Sequence, residues 1–154
     1  MVWDKTQDWF WEGNIQEKIV NYMKKKEKFV IIRKSNTGAR ERGPDILAKR
    51  NTILRQVAVK GYPSDKYTQD CLGGKKGEEK RTDPKLQAKH WLAEAVFEII
   101  NAKSQNEKLE VALGLPEFQL YKDDIRKLRW FVRKIELGVY FVDETGKVEF
   151  IRGG

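Results

Sequence analysis

Gly43-Pro44-Asp45-Ile46, followed across a short apolar segment by Val57-Ala58-Val59-Lys60-Gly61, is the stretch whose reading decides the fold. Residues 46–50 and 53–60 read as two strands, being rich in β-branched and apolar side chains. So few residues separate them that an antiparallel hairpin is the natural connection. Such a hairpin delivers a carboxylate, Asp45, and an ammonium, Lys60, to one end of adjacent strands. Strand alternation points Gln56, Ala58 and Lys60 to one face and Val57 and Val59 to the other. Lys60 therefore meets Asp45 only if the hairpin register cooperates.

Upstream, Ile15, Ile19, Tyr22 and Met23 recur on one side of a helix predicted over 14–26, which starts a turn earlier if Glu12 is included. Lys24, Lys25 and Lys26 load its last turn favourably against the helix dipole, and read as solvated cations before they read as DNA contacts. Phe29-Val30-Ile31-Ile32 is a short strand, ended by the loop 35–43. Trp3, Trp9, Phe10 and Trp11 crowd the N-terminus, where they either stack on bases or pack back over the core.

Downstream, residues 61–81 lack periodicity and are rich in Gly, Lys, Asp and Glu, as a loop is. Asp83 has the chemistry of an N-cap, with Pro84 in the first turn of a helix predicted to about Ala102. Ala88, Trp91, Leu92, Ala95, Val96, Ile99 and Ile100 form its broad apolar face. Alternation predicts a strand over 109–113, closed by Gly114 and Pro116. A single helix is expected over 118–136, with Ile125, Leu128, Phe131, Val132 and Ile135 inward. Arg126, Lys127, Arg129, Arg133 and Lys134 cover the rest of it, a solvated face more readily than a binding surface. Two strands, 139–142 and 148–151, flank the turn Asp143-Glu144-Thr145-Gly146.

The chain has 154 residues, the size of one domain. Its 31 Lys and Arg against 23 Asp and Glu give a net charge of +8, which suits nucleic acid, an anionic membrane surface or an acidic protein as partner. No apolar run of membrane-spanning length and no signal-peptide core is present, so the expectation is a cytoplasmic protein without a membrane partner. The lone Cys71 supplies neither an internal disulfide nor a Cys-rich zinc cluster and reads as an incidental thiol. The lone His90 rules out a histidine-pair metal site, and no P-loop or nucleophile motif occurs.

The order helix, three strands, helix, strand, together with the Pro44-Asp45 and Val59-Lys60 elements, resembles the PD-(D/E)XK nuclease superfamily, which includes Holliday-junction resolvases and many restriction enzymes. The resemblance spans roughly residues 12–115 and implies an α/β fold. That fold is a restriction-endonuclease-like αβββαβ core with a mixed central sheet. A C-terminal helix and β-hairpin, about 117–152, would be appended to it within a single domain. It implies a DNA-binding, Mg²⁺-dependent (or Mn²⁺-dependent) phosphodiester hydrolase. Asp45 would be the anchor metal ligand, the carbonyl of Val59 a further ligand, and Lys60 the group that orients water or neutralises the phosphate. An acid on the first helix, Glu12, would approach the metal, and Gln87 would be the polar residue of the central helix. Glu12 read by itself is a helix-start acid, and Glu17, five residues on, points elsewhere. Gln87, His90 and Glu94 are spaced to share one helix side.

The second acid of the family pattern is absent, and Ala58 occupies its slot. This is compatible with a natural loss of hydrolysis, with an introduced alanine, or with an ordinary packing position. Glu41 and Gln56 are the residues available to compensate. Arg40 and Arg42, just before Asp45, and Lys75 and Lys76, in the Gly-rich loop, are the candidate contacts to DNA or another nucleic acid. Two-strand cleavage would favour a homodimer. The alternatives are an inactive nucleic-acid-binding protein on a nuclease fold, or a basic protein-interaction domain in which Asp45 and Lys60 are structural.

Overall fold

A computed structural model describes residues 4–37, 43–66, 75–79 and 83–153. The proposed Arg40, Glu41, Arg42 and Cys71 lie outside the described residues. The elements run α1 (Glu12–Lys25), β1 (Val30–Lys34), β2 (Ile46–Arg50), β3 (Ile53–Val59), α2 (Pro84–Gln105), β4 (Glu110–Pro116), α3 (Gln119–Lys127), α4 (Arg129–Lys134), β5 (Gly138–Val142) and β6 (Val148–Arg152). This is a mixed α/β fold. The six strands form one sheet in chain order, antiparallel through β1-β2-β3, parallel through β3-β4-β5, and antiparallel again to β6.

The β2–β3 turn is as tight as its sequence demands. Arg50 pairs with Ile53, leaving two loop residues, of which Asn51 takes a left-handed φ of 54°. Asparagine tolerates that region because its short side chain can satisfy the backbone locally.

Alternation along the inner strands feeds two apolar layers. Val57, Val59, Ala112, Tyr140 and Val142 face α1, whose Ile15, Ile19, Val20 and Met23 are buried against them. Ala58, Val111, Leu113, Leu115, Val139 and Phe141 face the other side, under Ala88, Leu92, Ala95 and Ile99 of α2, Tyr121 of α3 and Val132 of α4. The central helix begins as read from its cap, since the Asp83 carboxylate accepts from the Lys85 N–H at 3.0 Å, but it runs on to Gln105.

Three expectations are corrected. Strand β4 continues through Gly114 to Pro116. Gly114 is there for packing, because a Cβ would stand 2.4 Å from Ile19 Cδ1 of the overlying α1. Pro116, as the last strand residue, removes a donor where the ladder is ending anyway. The single C-terminal helix is two, broken at Leu128 (φ −91°, ψ 15°). A bend that keeps the same side inward leaves the apolar period unchanged, so periodicity did not register it. The last hairpin is no appendage either, because β5 lies beside β4 and extends the central sheet. No helix among the described residues is long and apolar enough to cross a membrane.

Candidate functional site

The hairpin register places Ile46 opposite Val57, so Asp45 falls opposite Ala58 and on the face that Lys60 shares. Asp45 is fixed there by the backbone. Its Oδ2 accepts the Val59 N–H at 2.7 Å, and its carbonyl accepts the Ser35 N–H at 2.8 Å. Ser35 Oγ stands 3.4 Å from Asp45 Oδ1 and 3.3 Å from Gln16 Oε1, so its one proton serves either acceptor.

Lys60 follows the last residue of β3, at the carboxyl end of the parallel strands, where open α/β sheets place their ligands. Its N–H donates to the Gly114 carbonyl at 3.0 Å. Its ammonium lies 3.7 Å from Glu94 Oε2 and 3.6 Å from Glu98 Oε1, both on α2.

Glu12 reaches the same place from the first turn of α1. The chain before it is pressed onto Gly61, where a Cβ would meet the Phe10 carbonyl at 2.6 Å and the Glu12 nitrogen at 2.7 Å. Tyr62 N–H donates to the Phe10 carbonyl, and Tyr121 OH donates to the Gly61 carbonyl at 2.7 Å. Trp9 and Phe10 are therefore packing elements, since Trp9 stacks on Phe118 and Phe10 meets Tyr62 edge-on, whereas Trp3 lies outside the described residues. Glu17 is exposed, away from this cluster.

The charges interact strongly. Burial, then the charge of Asp45, pushes the Glu12 carboxyl up to about 7, with Lys60 opposing and Glu98 adding to the rise. Burial also raises Asp45 against the pull of the Val59 N–H and Lys60, and it raises Glu98 against Lys60. Lys60 itself is raised: burial works against its charge, but Glu98, Glu12, Asp45 and Glu94 outweigh it.

Beside this cluster a cavity of 350 Å³ is lined by Glu12, Lys60, Gln87 and Glu94 together with Trp11 and Trp91. Gln87 thus joins the cavity face of α2, whereas His90 lines a separate, open depression that Phe97, Glu94 and Glu98 also border. Helical geometry explains the difference. At about 100° per residue, Glu94 and Glu98 fall within about 20° of Gln87 around the axis, while His90 is about 60° away. Glu98, which sequence reading passed over, lies three turns from Gln87, and that spacing of 11 residues was the signal available. Gln56 sits on the same sheet face as Ala58 and shares a second cavity with Glu98. Ala58 is 3% exposed against α2. Lys75 and Lys76 are exposed in a turn.

Among the described residues no three His, Cys, Asp or Glu side chains converge tightly enough to hold a metal ion by themselves. The donor set nevertheless fits Mg²⁺, which commonly takes one or two carboxylates and fills its remaining positions with water or substrate oxygens. Two mutually repelling, partly buried carboxylates, Glu12 and Asp45, are what a divalent cation would relieve. No protein-family model, curated protein or solved structure matches the chain significantly.

The raised Glu12 carboxyl makes stability pH-dependent. Between about 4.5 and about 7 the folded chain keeps a proton that the unfolded chain has released, so stability falls as pH rises through that window. Glu12→Gln is expected to remove this fall and to be more stable than the parent at pH 8, by on the order of 2 kcal/mol. Urea unfolding of both proteins from pH 5 to pH 8 checks it. Added Mg²⁺ at pH 8 should recover stability in the parent and much less in the variant, because only the parent presents both carboxylates.

Proposed function

We propose that this chain is a nuclease-like domain of the PD-(D/E)XK kind that binds DNA and hydrolyses phosphodiester bonds with Mg²⁺ or Mn²⁺. The observation that carries the reading is the convergence of Asp45, Lys60 and Glu12 at the carboxyl end of β3, beside an open cavity. The helix and strand order and the net charge of +8 support it further.

In this reading Asp45 and Glu12, with the Val59 carbonyl, would hold the ion, which would supply Lewis-acid polarisation of the phosphoryl group and a water of lowered pKa. Lys60 neutralises charge building on the phosphoryl oxygens, a role that its raised pKa secures by keeping it protonated across the neutral range. Glu94 and Glu98 hold the ammonium from the helix side, and Gln87 offers the cavity a neutral polar group from α2. Asp45, trimmed by the Val59 N–H, keeps one orientation without needing a neighbouring acid.

A second reading, a nucleic-acid-binding relative without hydrolysis, is favoured by Ala58, because no carboxylate stands at that position. Ala58→Glu separates the two. The new carboxylate would lie directly opposite Asp45 and two residues before Lys60. Nicking of supercoiled plasmid with Mg²⁺ is expected to rise by about tenfold or more in this variant. The longer side chain under α2 should cost about 1–3 kcal/mol of stability. No nicking by the parent or by a folded Ala58→Glu protein that still binds DNA would leave the binding reading in place of the hydrolytic one.

A further inference from the structure

Trp130 is 73% exposed on α4, and it makes no ring contact with any described aromatic side chain or cation. Arg129, Arg133 and Lys134 line a shallow depression of 390 Å³ with it. These three cations form no ion pair with any described residue. Their neighbours on α3 differ: Arg126 pairs with Asp123 at 3.2 Å, and Lys127 with Asp124 at 3.6 Å. Arg133 and Lys134 follow Trp130 by three and four positions and so share its side of the helix, and Arg129 stands one turn before Arg133. A flat apolar surface is thus framed by positive charge that nothing in the described structure balances.

We propose that this corner docks single-stranded nucleic acid, with the Trp130 indole stacked on one unpaired base and Arg129, Arg133 and Lys134 on the flanking phosphates. The chemistry required of the partner is a regular line of negative charge bearing planar apolar faces, and every nucleotide of a single strand supplies both. Base pairs within a duplex stack on each other and leave no free face. An anionic lipid surface satisfies the charges but calls for a longer apolar face than α4 has. Trp130 is the only strongly exposed aromatic there, since Val132 is buried and Phe131 partly so.

The placement also separates this surface from the cluster around Lys60. Helix α4 ends where β5 begins, at the amino ends of the parallel strands, while Asp45 and Lys60 lie at the carboxyl end of β3. The inference therefore stands apart from the hydrolytic reading.

The test is a fluorescence titration of the full chain with short oligo(dT) across a salt series. It compares the parent with Trp130→Ala and with the triple variant Arg129→Gln, Arg133→Gln, Lys134→Gln. The parent should show quenched indole fluorescence, and Trp130→Ala should lose most of the quench and bind about tenfold more weakly. The triple variant should lower the slope of log K against log salt by about 2, the share of three phosphate contacts on a single strand. Circular dichroism melts show that both variants are folded. Unchanged affinity and quench in folded Trp130→Ala would overturn the proposal. So would equal or tighter binding of a duplex at this surface, or a response to phosphatidylserine vesicles without one to oligo(dT).

Discussion

If the chain is the Mg²⁺-dependent nuclease proposed above, replacing Lys60 by methionine is expected to reduce its hydrolysis of DNA by about 10²–10³-fold, the usual effect of removing one group that stabilises charge on the reacting oxygens. The side chain is well suited to that role. It is mostly buried, its ammonium is raised by four surrounding carboxylates, and its backbone is held by the Gly114 carbonyl. Methionine keeps the aliphatic stem packed and deletes only the charge. The loss should therefore appear in single-turnover nicking at saturating protein, while the affinity for DNA changes little. An equal fall in affinity and rate would mean that Lys60 only helps to bind.

The second large effect lies at the other end of β3 and concerns stability. Arg55 is 3% exposed, yet it is fully engaged. Its Nη1 donates to Glu27 Oε2 at 2.8 Å and to Tyr140 OH at 2.7 Å, and its Nε and Nη2 donate to Glu110 Oε2 at 3.1 and 2.9 Å. Its guanidinium also lies over the rings of Phe29 and Phe150, at 4.6 and 4.8 Å. Burial opposes its charge, but Tyr140 and Glu27 hold it firmly protonated. Removing one member of such a buried set leaves the others desolvated and uncompensated, which costs about 3–5 kcal/mol. Arg55→Met should therefore lose about that much in urea unfolding. Adding Glu27→Gln to it should restore part of the loss, because the stranded carboxylate is gone. Strictly additive losses would show that the guanidinium matters by packing alone.

Parts of this architecture were legible in the sequence because local chemistry decides them. The β2–β3 hairpin follows from a two-residue gap with Asn51, the start of α2 from Asp83 and Pro84, and the buried side of α1 from Ile15, Ile19 and Met23. Elsewhere a tertiary partner overrode the local signal. Gly114 reads as a chain breaker until Ile19 is seen above it, and Leu128 bends a helix without disturbing its apolar period. An arginine in a strand reads as solvent-facing, and only the fold assembles Glu27, Glu110 and Tyr140 around Arg55. At the site, alternation along β3 placed Gln56, Ala58 and Lys60 on one face, but whether Asp45 stood opposite Ala58 depended on the register. Glu98 was out of reach for the same reason as Arg55, since its significance comes from Lys60, 38 positions earlier in the chain.

The most direct measurement is nicking of supercoiled plasmid by the parent chain, with and without Mg²⁺ or Mn²⁺, beside Asp45→Asn. The parent is expected to nick slowly and only with the metal, and Asp45→Asn to lose this activity, with DNA binding retained in both. Nicking that persists in Asp45→Asn, or an inert parent that binds DNA equally well with and without the metal, would contradict this expectation.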